Sequence, residues 1–260
     1  MGGLYNTAEM AAGYARSRPA VHPHIIERVR RHLGLTGPLE RAVDVGCGAG
    51  LSTRPLQAIA RHCAGIDPIE AMLKWSAVAA PGACFAAGAA EAMPVRSHSA
   101  DILTAAGSLN YADLSLFFPE AARVLGPRGV LVVYDFSEGR NFSESESLDR
   151  WYSEFQRRYP PPAGASRDLS PETLESSGRG FGFRLRGRED FQIGLTLNPG
   201  FYLDYVLTET NVSHAIQNGT RKEEIRAWCS ETLVPVFRGD PHEVLFGGYI
   251  AYLVVNREGL

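Results

Sequence analysis

Three glycines stand at alternate positions, Gly46, Gly48 and Gly50, in the stretch AVDVGCGAG, directly behind an apolar run that carries one acid, Asp44. Glycine lets a backbone turn sharply and approach a ligand closely, and ligands of open parallel sheets bind at the carboxyl ends of the strands. A second acid, Asp67, closes another short apolar run, HCAGID, 17 residues after Gly50, where it is placed to accept hydrogen bonds from the two hydroxyls of a ribose. A dinucleotide loop has a related look. Leu51, however, stands where that fingerprint needs its third small residue, and Asp44 has no common role in it. The group held is then expected to be an adenosine without a pyrophosphate.

Such a turn works only at the end of a strand, and the flanking sequence supplies the strands. AVDVG (42–46), HCAGID (62–67), ACFAAGA (83–89), DILTAAG (101–107) and VLVVYDF (130–136) are short, apolar and bounded by turn residues. Between them RPLQAIARH, PIEAMLKWSAVAA and SLFFPEAARVLGPRG are long enough for helices, the last with a Pro-Arg-Gly turn behind it. EAMPVRSHSA has room for only a turn or a brief helix. This alternation predicts a parallel sheet with helices on both faces. A helix over 21–34 precedes it, with Ile25, Ile26, Val29 and Leu33 on one side. Past 140, SESESLDRWYSEFQRRY reads as a helix with an aromatic stripe, Ser170 before Pro171 as an N-cap, and FGFRLRGREDFQIGLTL and FGGYIAYLVVN as two later strands. Two helical patches, around 200–216 and 220–234, lie between those strands as an insertion.

The bulk numbers narrow the partners. The chain of 260 residues is 45% hydrophobic and 21% charged with a net charge of −3, an ordinary soluble composition. It has no Lys/Arg run to neutralise phosphates, so no nucleic-acid partner is expected, and no apolar run of bilayer length, so no membrane role. The first twenty residues lack a secretory apolar run, which leads us to expect a cytoplasmic protein. Cys47, Cys63, Cys84 and Cys229 are scattered without metal-ligand spacing, so reduced thiols and no metal are expected.

The run Asp-Val-Gly-Cys-Gly-Ala-Gly resembles the first motif of class I S-adenosylmethionine-dependent methyltransferases, and Gly-Ile-Asp-Pro is similar to the end of their second strand. GAAEAMPVRSHSADILTAAGSLNYAD and RVLGPRGVLVVYDF resemble the following segments of the small-molecule, type 11 (ubiquinone-methyltransferase-like) branch. The resemblance covers about residues 40–137. It implies an α/β, Rossmann-like doubly wound sheet of seven strands, mostly parallel with an antiparallel last strand, and a helical lid insertion. A single domain, 1–260, is expected: cofactor-covering helices (1–35), the cofactor-binding core (36–140), substrate-side helices and lid (141–240) and the last strand (241–260). The implied cofactor is S-adenosyl-L-methionine. By resemblance, Gly46, Cys47 and Gly48 present backbone to it, Asp44 sits near its ammonium and Asp67 binds its ribose. Pro68, Ile69 and Met72 line the adenine, Ala89, Ala90 and Glu91 follow its edge, and Ala105, Ala106 and Ser108 pass beneath the sulfonium. Tyr14-Ala15-Arg16-Ser17-Arg18-Pro19 is similar to the Tyr-x-x-x-Arg-Pro entry of the trans-aconitate-methyltransferase-like group, which puts Arg18 against a carboxylate and Tyr14 on the sulfonium side. That group often has His-Trp after the fourth strand; here the residues are Asn110-Tyr111, so its substrate does not carry over.

The reaction implied is methyl transfer to an O, N or C atom of a small-molecule acceptor. Position and dryness can supply most of the catalysis. For acid–base work His98, Glu209 and Asp113 were weighed against His214 and Tyr111, and the last two are the catalytic candidates. Trp151, Tyr152, Phe155, Phe201, Tyr202, Tyr205 and Trp228 suggest an apolar or aromatic acceptor, or else simply pack the lid. Two other readings stay open on the residues alone: a non-catalytic S-adenosylmethionine-binding protein, and an NAD-dependent oxidoreductase. The oligomeric state is left open.

Overall fold

Two helices precede the first strand: α1 (Ala8–Ser17) and α2 (His22–His32). In the computed structural model, which describes residues 8–162 and 169–255, the chain then runs β1 (Leu39–Val45), α3 (Thr53–Leu56), β2 (Ala60–Asp67), α4 (Glu70–Ala79), β3 (Cys84–Ala87), β4 (Ala100–Ala106), α5 (Leu114–Val124) and β5 (Leu125–Phe136). After β6 (Asn141–Phe142) come α6 (Ser147–Arg158), α7 (Pro171–Arg179), β7 (Phe183–Leu197), α8 (Pro199–Val206), α9 (Thr210–Gln217), α10 (Lys222–Phe237) and β8 (His242–Val255). Residue contacts divide the chain into two units. The sheet unit comprises the described parts of His22–Phe136, Ser166–Phe191 and Gly248–Leu260; the helical unit comprises those of Met1–Val21, Ser137–Ala165 and Gln192–Gly247.

In the sheet unit the strand order is β3-β2-β1-β4-β5-β8, parallel throughout except for the antiparallel pairing of β5 with β8. The reversal between β2 and β4 on either side of β1 makes the carboxyl end of β1 a topological switch point, where such sheets bind ligands. Alternate residues of the central strands serve opposite faces. Val43, Val45, Leu103, Ala105, Leu131 and Val133 pack with Phe117, Phe118, Ala121 and Val124 of α5 and Leu174 of α7. Asp44, Thr104 and Tyr134 belong to the other face, where His22 at the start of α2 meets the Tyr134 hydroxyl at 2.9 Å. Each fully buried Phe of this core contributes about 2–3 kcal/mol. Ser170 caps α7 as expected, accepting from the Thr173 amide at 3.2 Å, with Pro171 in the first turn.

Several expectations need correction. Among the described residues there are eight strands rather than seven, the addition being the two-residue β6, which pairs with β8 in the helical unit. The helix expected in RPLQAIARH shrinks to Thr53–Leu56, because Ala60–His62 extend β2 and pair with β1 from Leu39↔Ala60 onward. EAMPVRSHSA, by contrast, holds turns as expected, with an isolated bridge between Ala89 and Ala92 where it begins. The Pro-Arg-Gly turn lies inside β5 as an irregularity: Leu125 pairs with Ala100, and the register resumes at Val130 opposite Ile102. The two helical patches of the insertion are three helices, α8, α9 and α10. The break falls at Thr208, whose hydroxyl donates back to the Tyr205 carbonyl at 2.7 Å, and Glu209 takes the extended N-cap conformation for α9.

The helical unit has an aromatic core. Trp151 stacks on Phe155 with ring centroids 5.3 Å apart and meets Trp228 at 6.0 Å; Tyr202 packs against Tyr205 and Phe237. Tyr202 and Tyr205 donate their hydroxyls to the Gly139 and Glu138 carbonyls, both at 2.8 Å. Most of the rings that suggested an aromatic acceptor are thus occupied with one another.

Candidate cofactor site

The turn after β1 is built by glycines with two different tasks. At Gly46, φ is +68° and an added Cβ would fall 2.3 Å from the Ser108 Cβ, so this glycine is required by packing against the turn after β4. At Gly48, φ is +51° and an added Cβ would meet only the Met72 methyl, at 3.2 Å. Beyond its chain neighbours, no other heavy atom comes within 4 Å of that position. The amides of the turn are used internally: Gly46 and Cys47 both donate to the Ile66 carbonyl, at 2.8 and 3.0 Å, and Gly50 to the Cys47 carbonyl. What the turn offers a ligand is close approach, carbonyl oxygens and the acid beside it.

That acid is Asp67. It ends β2 nearly buried, with Oδ2 accepting from the Gly48 amide and Oδ1 from the Ile69 amide, each at 2.8 Å. Burial raises its carboxyl above the usual range, and the two amides oppose that rise. The carboxylate is thus fixed beside Gly48 by two backbone amides, as a ribose-binding acid would need to be. Glycine backbone without side chains and a fixed carboxylate one strand away fit an adenosine group.

Asp44 has a different place. It is fully buried, and its oxygens accept from the hydroxyls of Ser52 (2.6 Å), Thr53 (2.7 Å) and Thr104 (2.8 Å). Burial raises its carboxyl, and the three hydroxyls work against the rise. Where an ammonium contact was expected, the side chain instead ties the turn to β4 and to the start of α3 from beneath. Cys47 is buried beside both acids, and burial together with their charge pushes its thiol far up, so it stays neutral. Ser52, Thr53 and Thr104 were not singled out from sequence, although two hydroxyl residues directly after the glycines were the available sign.

The remaining candidates distribute as follows. Met72 is buried, Ile69 half-buried and Pro68 exposed, all at the start of α4. Ala89 is exposed, Ala90 and Glu91 are half-buried, and Glu91 accepts from the Asp113 amide at 2.7 Å, while Asp113 caps α5 by accepting from Ser115. Ala105 lies in the core, Ala106 and Ser108 are half-buried, and Ser108 donates to the Val45 carbonyl at 2.7 Å. Tyr111 is 39% exposed on the short 3-10 turn after β4. His98 sits in a turn with φ +54° and donates from Nδ1 to the Leu125 carbonyl.

In the helical unit, His214 is half-buried on α9 and accepts from Asn218 at 3.1 Å. Arg18 lies over the Tyr14 ring, 4.4 Å from its centroid, with Nη1 3.1 Å from Glu209 Oε1 and Nη2 donating to the Thr208 carbonyl. The carboxylate that Arg18 faces is therefore the chain's own. Glu209 is buried; burial raises its carboxyl, with Arg18 opposing. No group of three or more His, Cys, Asp or Glu able to hold a metal occurs among the described residues.

Known proteins match this geometry. The family model of a methyltransferase domain (type 11) fits residues 43–133, the stretch from β1 to β5 that carries the glycine turn and Asp67. An uncharacterised methyltransferase of Mycobacterium tuberculosis is 32% identical over 118 residues, 45% of this chain and 46% of that protein. The chain thus spans about half the length of the curated relatives it matches. Among solved structures, a candidate type II methyltransferase from Anaeromyxobacter dehalogenans superposes with a TM-score of 0.64 at 23% identity, over 86% of this chain and 94% of that one. The geranyl diphosphate C-methyltransferase of Streptomyces coelicolor, solved with geranyl diphosphate and S-adenosyl-L-homocysteine, superposes with a TM-score of 0.52 at 16% identity, over 88% of this chain and 78% of that one. The sheet order and the superposition show a Rossmann-like fold, and its segment 43–133, which holds the switch-point turn, is similar to the type 11 methyltransferase domain.

Proposed function

We propose that the protein binds S-adenosyl-L-methionine at the turn after β1 and transfers its methyl group to a small-molecule acceptor. The observation that carries this reading is the left-handed Gly48, where an added Cβ would meet only the Met72 methyl, with its amide donating to the fixed Asp67 carboxylate. The cofactor, when bound, supplies an electrophilic methyl on a sulfonium. The chain's part is placement: Asp67 accepts from the ribose hydroxyls, Met72 and Ile69 border the adenine, and the Gly107–Ser108 turn of β4 lies alongside the donor centre. Asp44 contributes indirectly, by keeping the turn in shape. Preorganisation of this kind supplies about 7–11 kcal/mol of barrier lowering in well-oriented reactions, so no elaborate triad is needed.

The helical unit, formed by α1 and the segments around α6 and α8–α10, is the part we assign to the acceptor. Tyr111 and His214 are the side chains we put forward for acid–base work, Tyr111 because it is exposed just past the β4 turn and His214 because it is only half-buried on the insertion. The four free thiols accord with a reducing, cytoplasmic setting.

Calorimetric titration with S-adenosylmethionine, S-adenosylhomocysteine and NAD tests the assignment. Binding of the first two and not of NAD is the expected result. Binding of NAD alone would make the turn a dinucleotide site, and binding of none would remove the turn from function.

A further inference from the structure

We infer that the carboxylate of Asp135 is the counter-charge by which this site prefers a cationic sulfonium to a neutral thioether, favouring reactant over demethylated product. The inference rests on the methyl-transfer reading above. Asp135 is the next-to-last residue of β5, half-buried at the carboxyl end of the sheet. Its orientation is set from two sides: Oδ2 accepts from Asn110 Nδ2 at 2.9 Å, and Oδ1 accepts from the Phe136 amide at 2.8 Å. Gly107, the first residue past β4, has φ +60°, and a Cβ there would stand 3.0 Å from Asp135 Oδ1. The missing side chain lets the carboxylate settle onto that turn.

The same turn touches the glycine turn. Ser108, the next residue, is the side chain that a Cβ on Gly46 would strike, and its hydroxyl donates to the Val45 carbonyl at 2.7 Å. Contacts within the sheet unit therefore run from the turn after β1 through Ser108 and Gly107 to Asp135. Methyl transfer removes one unit of positive charge at the sulfur. With the cofactor bound as proposed above, that turn would lie beside the sulfur, and a carboxylate fixed on it in a partly desolvated setting would interact with the charged form and not with the neutral one. Asn110 acts as a positioning residue, holding the carboxylate toward the turn.

Calorimetry on the intact chain tests this without an acceptor. Three probes serve: S-adenosylmethionine, S-adenosylhomocysteine and sinefungin, an analogue that carries an amine in place of the methylsulfonium. Asp135→Asn keeps the shape and removes the charge. It is expected to weaken S-adenosylmethionine and sinefungin about tenfold while leaving S-adenosylhomocysteine within about twofold, which also reports an intact fold. Asn110→Ala keeps the charge but frees its orientation, and a change of about threefold in the same direction is expected. If Asp135→Asn weakens all three probes equally, or changes none, the inference is overturned, and so it is if Asn110→Ala shifts S-adenosylhomocysteine alone. Failure of the wild-type protein to bind any probe would instead sink the methyl-transfer reading itself.

Discussion

The two units hold their buried acids differently. In the sheet unit, Asp44 is met by three hydroxyls and Asp67 by two amides, all within 2.6–2.8 Å, and the partners lie either in the same turn or on the neighbouring strand. In the helical unit, the buried Glu209 is met instead by a cation far away in the chain, with Arg18 Nη1 at 3.1 Å from its Oε1. A fully satisfied network rigidifies its surroundings. The turn after β1 is thus held in shape by its own neighbours, whereas the buried acid of the helical unit depends on a partner brought from another segment.

Removing the centre of the satisfied network should have the largest effect. Asp44→Ala strands three buried hydroxyls, and a loss of about 4 kcal/mol in chemical denaturation is expected; a loss below about 1 kcal/mol would mean that the turn does not depend on them. Gly46→Ala comes next, at about 3 kcal/mol, because the new Cβ strikes Ser108 and the backbone is left-handed there. Adding Ser108→Gly should recover about half of that in a double-mutant cycle, and no recovery would show that backbone strain alone sets the cost. Asp67→Ala should weaken S-adenosylhomocysteine about thirtyfold, or about 2 kcal/mol, with cooperative unfolding retained. Unchanged affinity would move the ribose elsewhere.

The smallest effect concerns the helical unit and its pH dependence. Burial raises the folded Glu209 carboxyl above its unfolded value of about 4.3. The stability this group contributes is therefore fully present below the unfolded value and is lost as pH rises through the folded one. Glu209→Gln removes that dependence, so the stability difference between variant and wild type should move in the variant's favour by on the order of 1 kcal/mol between pH 4 and pH 7.5. Parallel stability curves for the two proteins would show that the carboxylate is as well accommodated as those of the sheet unit.

Much of the candidate site was legible because its signals are local. A glycine turn at a strand end, an acid closing the next strand and a Ser-Pro helix start are decided by residues adjacent in sequence, and each stands where the spacing placed it. Local pattern failed where pairing between strands overrode it, as in RPLQAIARH, where β2 claimed residues whose apolar spacing also suits a helix. It left the aromatic residues of the helical unit open between packing and an acceptor pocket, since side-chain type does not reveal whether a ring faces another ring or an open cleft.

By itself the sequence determined the strand and helix alternation, the turn at 46–50 and the acid at 67, all consequences of backbone freedom and short-range spacing. Only the tertiary structure decided that Gly46 serves Ser108 while Gly48 meets only the Met72 methyl, that Asp44 ties the turn to β4, that Arg18 meets Glu209, and that Asp135 rests on Gly107. Those facts depend on which side chains meet across strands and helices, and distance along the chain carries no record of such meetings.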